Sequence, residues 1–162
     1  MFISRILILA AAVGVAACAP IAQEHGEGAH HAAHFAAPVG DPRPIVKFPE
    51  ELRIHTLANM RDHLRALQEI QEALAHEQYD RASDVAEQRL GMSSLTLHGA
   101  HELSGFMPEG MQDIGTEMHR AASRFAVATK DAGATGDVKP ALAALSRVIQ
   151  QCVACHSSYR VQ

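Results

Sequence analysis

The end of the chain carries cysteine and histidine residues at a spacing that could attach a haem. Cys152-Val153-Ala154-Cys155-His156 fits C-x-x-C-H, the pattern of c-type haem attachment. On a helix, side chains at positions i, i+3 and i+4 share one face. Both thiols could then add to the haem vinyl groups while the His156 imidazole reaches the iron as its proximal ligand. The pattern predicts one covalently bound haem c per chain.

Two other kinds of chemistry use part of this pattern. A redox-active dithiol also has the spacing C-x-x-C, but it belongs with a β–α–β pattern, which this sequence lacks. A zinc or non-haem iron site would need more thiolates or imidazoles at suitable spacing nearby. None follows or precedes the motif closely, so haem attachment is the favoured interpretation.

Composition and periodicity predict an all-α domain around the motif. Helix-forming residues such as Ala, Leu, Glu, Gln and Arg are frequent, and aromatic residues are only 4% of the chain. Apolar residues three or four apart predict helices over about 50–76 and 80–104. A third helix follows the break at 106–110, and a fourth begins at Asp137 and carries the motif at its end. Four amphipathic helices with short connections predict an antiparallel four-helix bundle over 50–162.

The N-terminus has the features of an export signal. In residues 1–17, Arg5 precedes an apolar run that is too short to cross a bilayer and ends in small residues. Residues 15–18 (Val-Ala-Ala-Cys) resemble a lipobox, in which Cys18 would be acylated; cleavage after Ala17 without acylation is the alternative. Since Ala19 follows the cysteine, the resemblance to bacterial lipoproteins favours the outer membrane. We therefore expect a periplasmic protein, with a membrane anchor through lipid on Cys18.

Residues 18–49 are rich in Pro and Gly and have no apolar periodicity, which predicts a flexible linker. Clustered imidazoles in this segment could bind Zn²⁺ or Cu²⁺. A solvated spacer is the favoured interpretation, because a flexible segment loses entropy when it closes around a metal. The imidazoles are those of His25, His30, His31 and His34.

The position of the motif at the end of the last helix resembles the class II cytochromes c, the cytochrome c′ family. Residues 152–160 match the family's C-x-x-C-H-x-x-[YF]-R ending, and residues 135–137 and 106–110 are also similar to it. The resemblance covers about 50–160. It implies a mono-haem one-electron carrier, not an enzyme, that meets periplasmic or membrane redox partner proteins. Related bundles often form homodimers.

The resemblance also bears on the sixth iron ligand. Family members with an apolar residue on the first helix at that position bind NO or CO, whereas those with Met are electron carriers. Alignment places Met60 there as the candidate ligand, although Met also fills core gaps. Thr56 stands where the family commonly has Arg, so His55 and His63 remain further candidates. Arg160 could contact a haem propionate, shield the proximal side or simply be solvated.

The net charge and the residues in the middle of the chain bear on two further functions, nucleic-acid binding and metal binding. The net charge of −4 and the lack of a basic run exclude a nucleic-acid-binding function. Met and His residues are frequent between positions 92 and 119 and could bind copper. Core and turn packing is the favoured interpretation, with metal handling as the alternative. The residues are Met92, His98, His101, Met107, Met111, Met118 and His119.

Overall fold

Helices make up 75% of the chain that the computed structural model describes, which is residues 40–162. The all-α prediction is confirmed. None of the helices in this part of the chain is long and apolar enough to cross a membrane. The predicted signal peptide, Cys18 and the histidines of the linker lie outside the described residues.

The helices are α1 (Glu50–Ala75), α2 (Tyr79–Arg89), α3 (Ala100–Ser104), α4 (Glu109–Thr135) and α5 (Lys139–Ser158), with a 3₁₀ turn at Met92–Ser94. Three of the helices, α1, α4 and α5, begin and end close to the positions that periodicity predicted. Asp137, the predicted N-cap, lies one residue before the observed N-cap Val138, and its Oδ1 accepts the N–H of Lys139 at 3.1 Å.

The prediction of a single helix over 80–104 is wrong. Helix α2 ends at Arg89, and a short helix, α3, begins only at Ala100. Gly91 has an extended backbone, and a Cβ at this position would collide with the Glu87 side chain. Gly99, with φ of +65°, adopts the left-handed conformation that favours glycine. These two glycines turn the chain between α2 and α3 and bury His98.

The main core lies where α1 packs on α2, α2 on α4, and α4 on α5. Its largest fully buried side chains include Phe125, Ile70, Leu90 and Val148. Most of the other core positions are alanines, which favour helix formation and let neighbouring helices approach closely. The buried alanines are Ala66, Ala73, Ala82, Ala86, Ala121, Ala122, Ala126, Ala132 and Ala141.

The last part of the predicted linker belongs to the folded unit, which begins at Asp41. Strand β1 (Ile45–Val46) pairs in parallel with β2 (Arg160–Val161). Val46 and Phe48 are buried and pack in a second apolar cluster with Leu103 and Met111. A strand of two residues is too short to produce a periodic signal, so no pattern in the sequence indicated that the linker ends before 49. The pairing brings the segment before α1 next to the end of α5.

Candidate functional site

One cavity of about 600 Å³ is lined by all three residues of the C-x-x-C-H motif. Cys152, Cys155 and His156 lie in the last turns of α5, and both cysteines are free thiols with partly exposed side chains. The volume lies within the range of about 300–1,000 Å³ that is usual for small-molecule and cofactor sites. The motif therefore faces a space large enough for a bound group.

The walls of the cavity are mostly apolar and come from α1, α4, α5 and the segment around α3. Three of the lining side chains are large, apolar and well exposed: Leu64 at 68%, Val153 at 58% and Ile149 at 37%. Apolar side chains gathered around one concave surface are typical of a site that buries an apolar partner. The surface next to the motif thus has the character of a site for a largely apolar group.

The structure brings Met60 of α1 to the same cavity as His156 of α5. His63, the next candidate along α1, also lines the cavity, whereas His55 is not among its lining residues. Thr56 lines it as well, and its buried Oγ1 has no hydrogen-bond partner. Of the candidate sixth ligands, Met60 and His63 are therefore the two that border the motif's cavity.

Arg160 does not line the cavity. Its Nε donates to the carbonyl oxygen of Arg43 at 3.1 Å, and its backbone N–H donates to Pro44 O at 3.1 Å. Arg160 therefore ties the C-terminal strand to the segment before α1. The contact of Arg160 with a propionate or with the proximal side stays a prediction.

The two motif thiols lack the electrostatic character of a redox-active dithiol. Burial raises the pKa of Cys152, and burial together with the neighbouring Cys152 raises the pKa of Cys155. Reactive cysteines of dithiol enzymes have a lowered pKa instead, since the thiolate is the nucleophile. The raised pKa values of both thiols argue against a role in thiol–disulfide exchange.

Arg43 is a residue at this site that sequence reasoning missed. Its Nη1 donates to the carbonyl oxygen of His156 at 2.5 Å and to that of Tyr159 at 3.4 Å. Asp41 holds the guanidinium through Nε and Nη2, and this contact holds the pKa of Asp41 well below its usual range. The carbonyls at a helix end have no partner within the helix, so Arg43 fixes the backbone of the predicted proximal histidine.

Three imidazoles from different parts of the chain form a cluster on the cavity wall. His63 lies on α1, His98 before α3 and His119 on α4, and all three line the cavity. Their ring centroids are 4.7 Å apart for His63 and His98, 5.3 Å for His98 and His119, and 6.4 Å for His63 and His119. The sequence singled out His98 and His119 together with several methionines, but it did not connect them with His63.

The imidazoles of this cluster are neutral at pH 7. Burial is the main cause that lowers the pKa of His63 to about 4 and that of His98 to about 4, and the neighbouring imidazoles add to the shift. Burial also lowers the pKa of His119. No three His, Cys, Asp or Glu side chains in the described part of the chain stand as a ready-made metal-binding group.

Most methionines of the middle segment pack against apolar side chains in the interior of the protein. Met118 belongs to the main core, and Met111 and Met107 belong to the apolar cluster around Phe48. Met92 is 38% exposed and His101 is exposed, and neither lines the cavity. The prediction of core and turn packing therefore fits the methionines, whereas His98 and His119 lie in the histidine cluster.

Comparison with known proteins gives no match, whether with protein-family models, with curated proteins or with solved structures.

Proposed function

We propose that the protein is a mono-haem c-type cytochrome that carries one electron at a time. Haem c would be bound covalently by Cys152 and Cys155, with His156 as proximal ligand of the iron. The observation that carries the proposal is that these three residues and Met60, from another helix, line one apolar cavity of about 600 Å³. The haem supplies the one-electron iron couple, and the chain would not turn over a substrate.

The residues of the cavity fit the group. A haem in this space would cover the exposed apolar side chains of Leu64, Ile149 and Val153, whose burial favours binding by about 25 cal/mol per Å² of apolar surface removed from water. The same walls would limit the access of water to the iron. Arg43 holds the His156 carbonyl and so would position the proximal imidazole.

Met60 is the sixth ligand that we propose. A thioether ligand raises the reduction potential of a haem, which suits an electron carrier. Met60 lies one turn before His63 on α1, and both line the cavity. His63 is the competing ligand, and an imidazole in its place would give a lower potential.

The finer architecture and the cellular setting follow from the sequence resemblance and are part of the same proposal. They are an antiparallel four-helix bundle of the cytochrome c′ type, export to the periplasm and a lipid anchor on Cys18 in the outer membrane. The partners would be periplasmic or membrane redox proteins, with a second copy of the chain as a dimer partner. The described helix contacts, α1 on α2, α2 on α4 and α4 on α5, are consistent with such a bundle.

The visible spectrum of the purified protein in both oxidation states tests the proposal. Sharp low-spin bands on reduction and a weak iron–thioether charge-transfer band when oxidised are expected for a Met-ligated haem. Met60→Leu should abolish the charge-transfer band, whereas Met107→Leu, at another lining position, should keep it. A protein with no covalently bound haem would refute the proposal as a whole. An unchanged spectrum in Met60→Leu would refute the ligand.

Binding of NO or CO at an open sixth position is the second candidate function. The buried Thr56 Oγ1 on the cavity wall favours it, because this hydroxyl has no partner and could donate to a gas bound at the iron. Broad high-spin bands and rapid gas binding in the same experiment would select this function, and Met60 would then be a packing residue.

A further inference from the structure

We propose that His63, His98 and His119 bind a divalent transition-metal ion, Zn²⁺ or Cu²⁺, at the wall of the cavity. The site would be additional to the iron site and does not require an electron-transfer function. Imidazole nitrogen suits both ions. The three residues come from α1, from the turn before α3 and from α4, so one ion would connect three separate parts of the fold.

The spacing of the rings fits one shared ion. Metal–nitrogen distances of about 2.0–2.1 Å in a tetrahedral site place imidazole centroids about 5 Å from one another. The observed centroid separations are 4.7, 5.3 and 6.4 Å. Two of the three pairs are thus at the required separation, and the third is longer by about one ångström.

Hydrogen bonds orient two of the rings for binding through Nε2. The Leu90 carbonyl oxygen lies 2.8 Å from His119 Nδ1; since a carbonyl can only accept, this nitrogen carries the proton. Ser94 donates its hydroxyl to Gly91 O at 2.7 Å, so its oxygen is an acceptor for His98 Nδ1 at 3.4 Å. Both rings then keep an unprotonated Nε2, the arrangement by which metal-binding histidines are usually held.

The third ring has a nitrogen without a partner. His63 Nε2 is buried and makes no hydrogen bond, and buried polar atoms in proteins are normally paired. A metal ion would satisfy it. The nearest charges do not oppose a cation strongly, because Arg89 is paired with Asp62 at 2.5 Å and with Glu69 at 2.7 Å.

The site needs a change of side-chain rotamer, since the rings are not in a ready-made ligand arrangement. His63 is the ring that is held least, because no hydrogen bond engages its Nε2. A change of its rotamer toward His119 would shorten the longest of the three separations. Water would complete the coordination.

Zinc titration of the purified protein, with or without bound haem, tests the site. The four linker histidines would compete for zinc, so the parent for this experiment carries His25→Gln, His30→Gln, His31→Gln and His34→Gln. Calorimetry should show one zinc ion per chain. His98→Gln and His119→Gln should each weaken binding at least ~10–100-fold, the loss typical when even a supporting residue of a metal site is removed. His101→Gln, at an exposed position of α3, should bind like the parent.

A second measurement on the same parent keeps the test independent of how the cluster variants fold. Zinc-edge X-ray absorption should show three imidazole nitrogens at about 2.0–2.1 Å. Circular dichroism and the haem spectrum check that each variant is folded. No zinc binding by the parent, equal binding by His98→Gln, or fewer than three imidazoles around the zinc would overturn the proposal.

Discussion

Acid should destabilise the folded protein through two buried imidazoles. Burial lowers the pKa of His63 and of His98 to about 4, from an ordinary value of 6.5. The unfolded chain therefore binds protons at a higher pH than the folded one. The stability from the neutral, buried rings is fully present above pH 6.5 and is lost as the pH falls from 6.5 toward 4.

The size of the effect follows from the shift. A difference of about 2.5 pKa units corresponds to about 3 kcal/mol per ring, and each ring should lower the free energy of unfolding by about 1.4 kcal/mol per pH unit within that window. Between pH 6.5 and 5 each ring then contributes about 2 kcal/mol. The pair contributes less than twice that, because charge repulsion from His98 is already part of the His63 shift.

Guanidinium unfolding of the purified protein at pH 7, 6 and 5, in EDTA to remove divalent ions, measures this loss. The carboxylates with lowered pKa, such as Asp62 and Glu87, titrate mainly below this range, so the window reports histidines. His98→Gln should lose about 2 kcal/mol less than the parent between pH 7 and 5, and the exposed His101→Gln should follow the parent. If His98→Gln loses as much stability as the parent, the reasoning is refuted.

Three further changes test the packing around the site. Under the proposed haem attachment, the double variant Cys152→Ala/Cys155→Ala should lose helix content by circular dichroism, because the cavity walls would lack the haem; a stable, fully helical variant would contradict this. Phe125→Ala should lower the unfolding free energy by about 3–5 kcal/mol, since the ring is fully buried, whereas the exposed Val127→Ala should change it by less than about 0.5 kcal/mol in the same denaturant titration. Arg43→Ala should speed hydrogen exchange of the β2 amides by releasing the end of α5, and unchanged exchange would exclude this role.

The parts of the fold that the sequence predicted are those with a local cause. Helices α1, α4 and α5 repeat apolar residues every three or four positions, and their ends coincide with residues such as Asp137 and Gly136 that favour helix termini. The motif on α5 has a fixed spacing, so its residues could be named without a structure. Met60 was placed by alignment, and it does line the motif's cavity.

The histidine cluster could not be predicted in the same way. The three imidazoles of His63, His98 and His119 come together because the chain turns at Gly91 and Gly99. The hydropathy pattern instead predicted one continuous helix over this stretch. A histidine at an apolar position gives no sign of whether it is buried against other histidines. The sequence showed the frequency of His and Met in the segment, but their separation into core methionines and clustered imidazoles depends on tertiary packing.

The contact between the end of the linker and the motif could not be predicted from local sequence either. Strands β1 and β2 are two residues each, too short to be stable alone, so side chains must hold them. Arg43 does so by donating to carbonyls of His156 and Tyr159 while Asp41 holds its guanidinium. A charged residue between prolines looks like a solvated spacer, yet here it fixes the peptide of the predicted proximal histidine. The position of that imidazole therefore depends on a segment far away in sequence, which no local pattern connects with the motif.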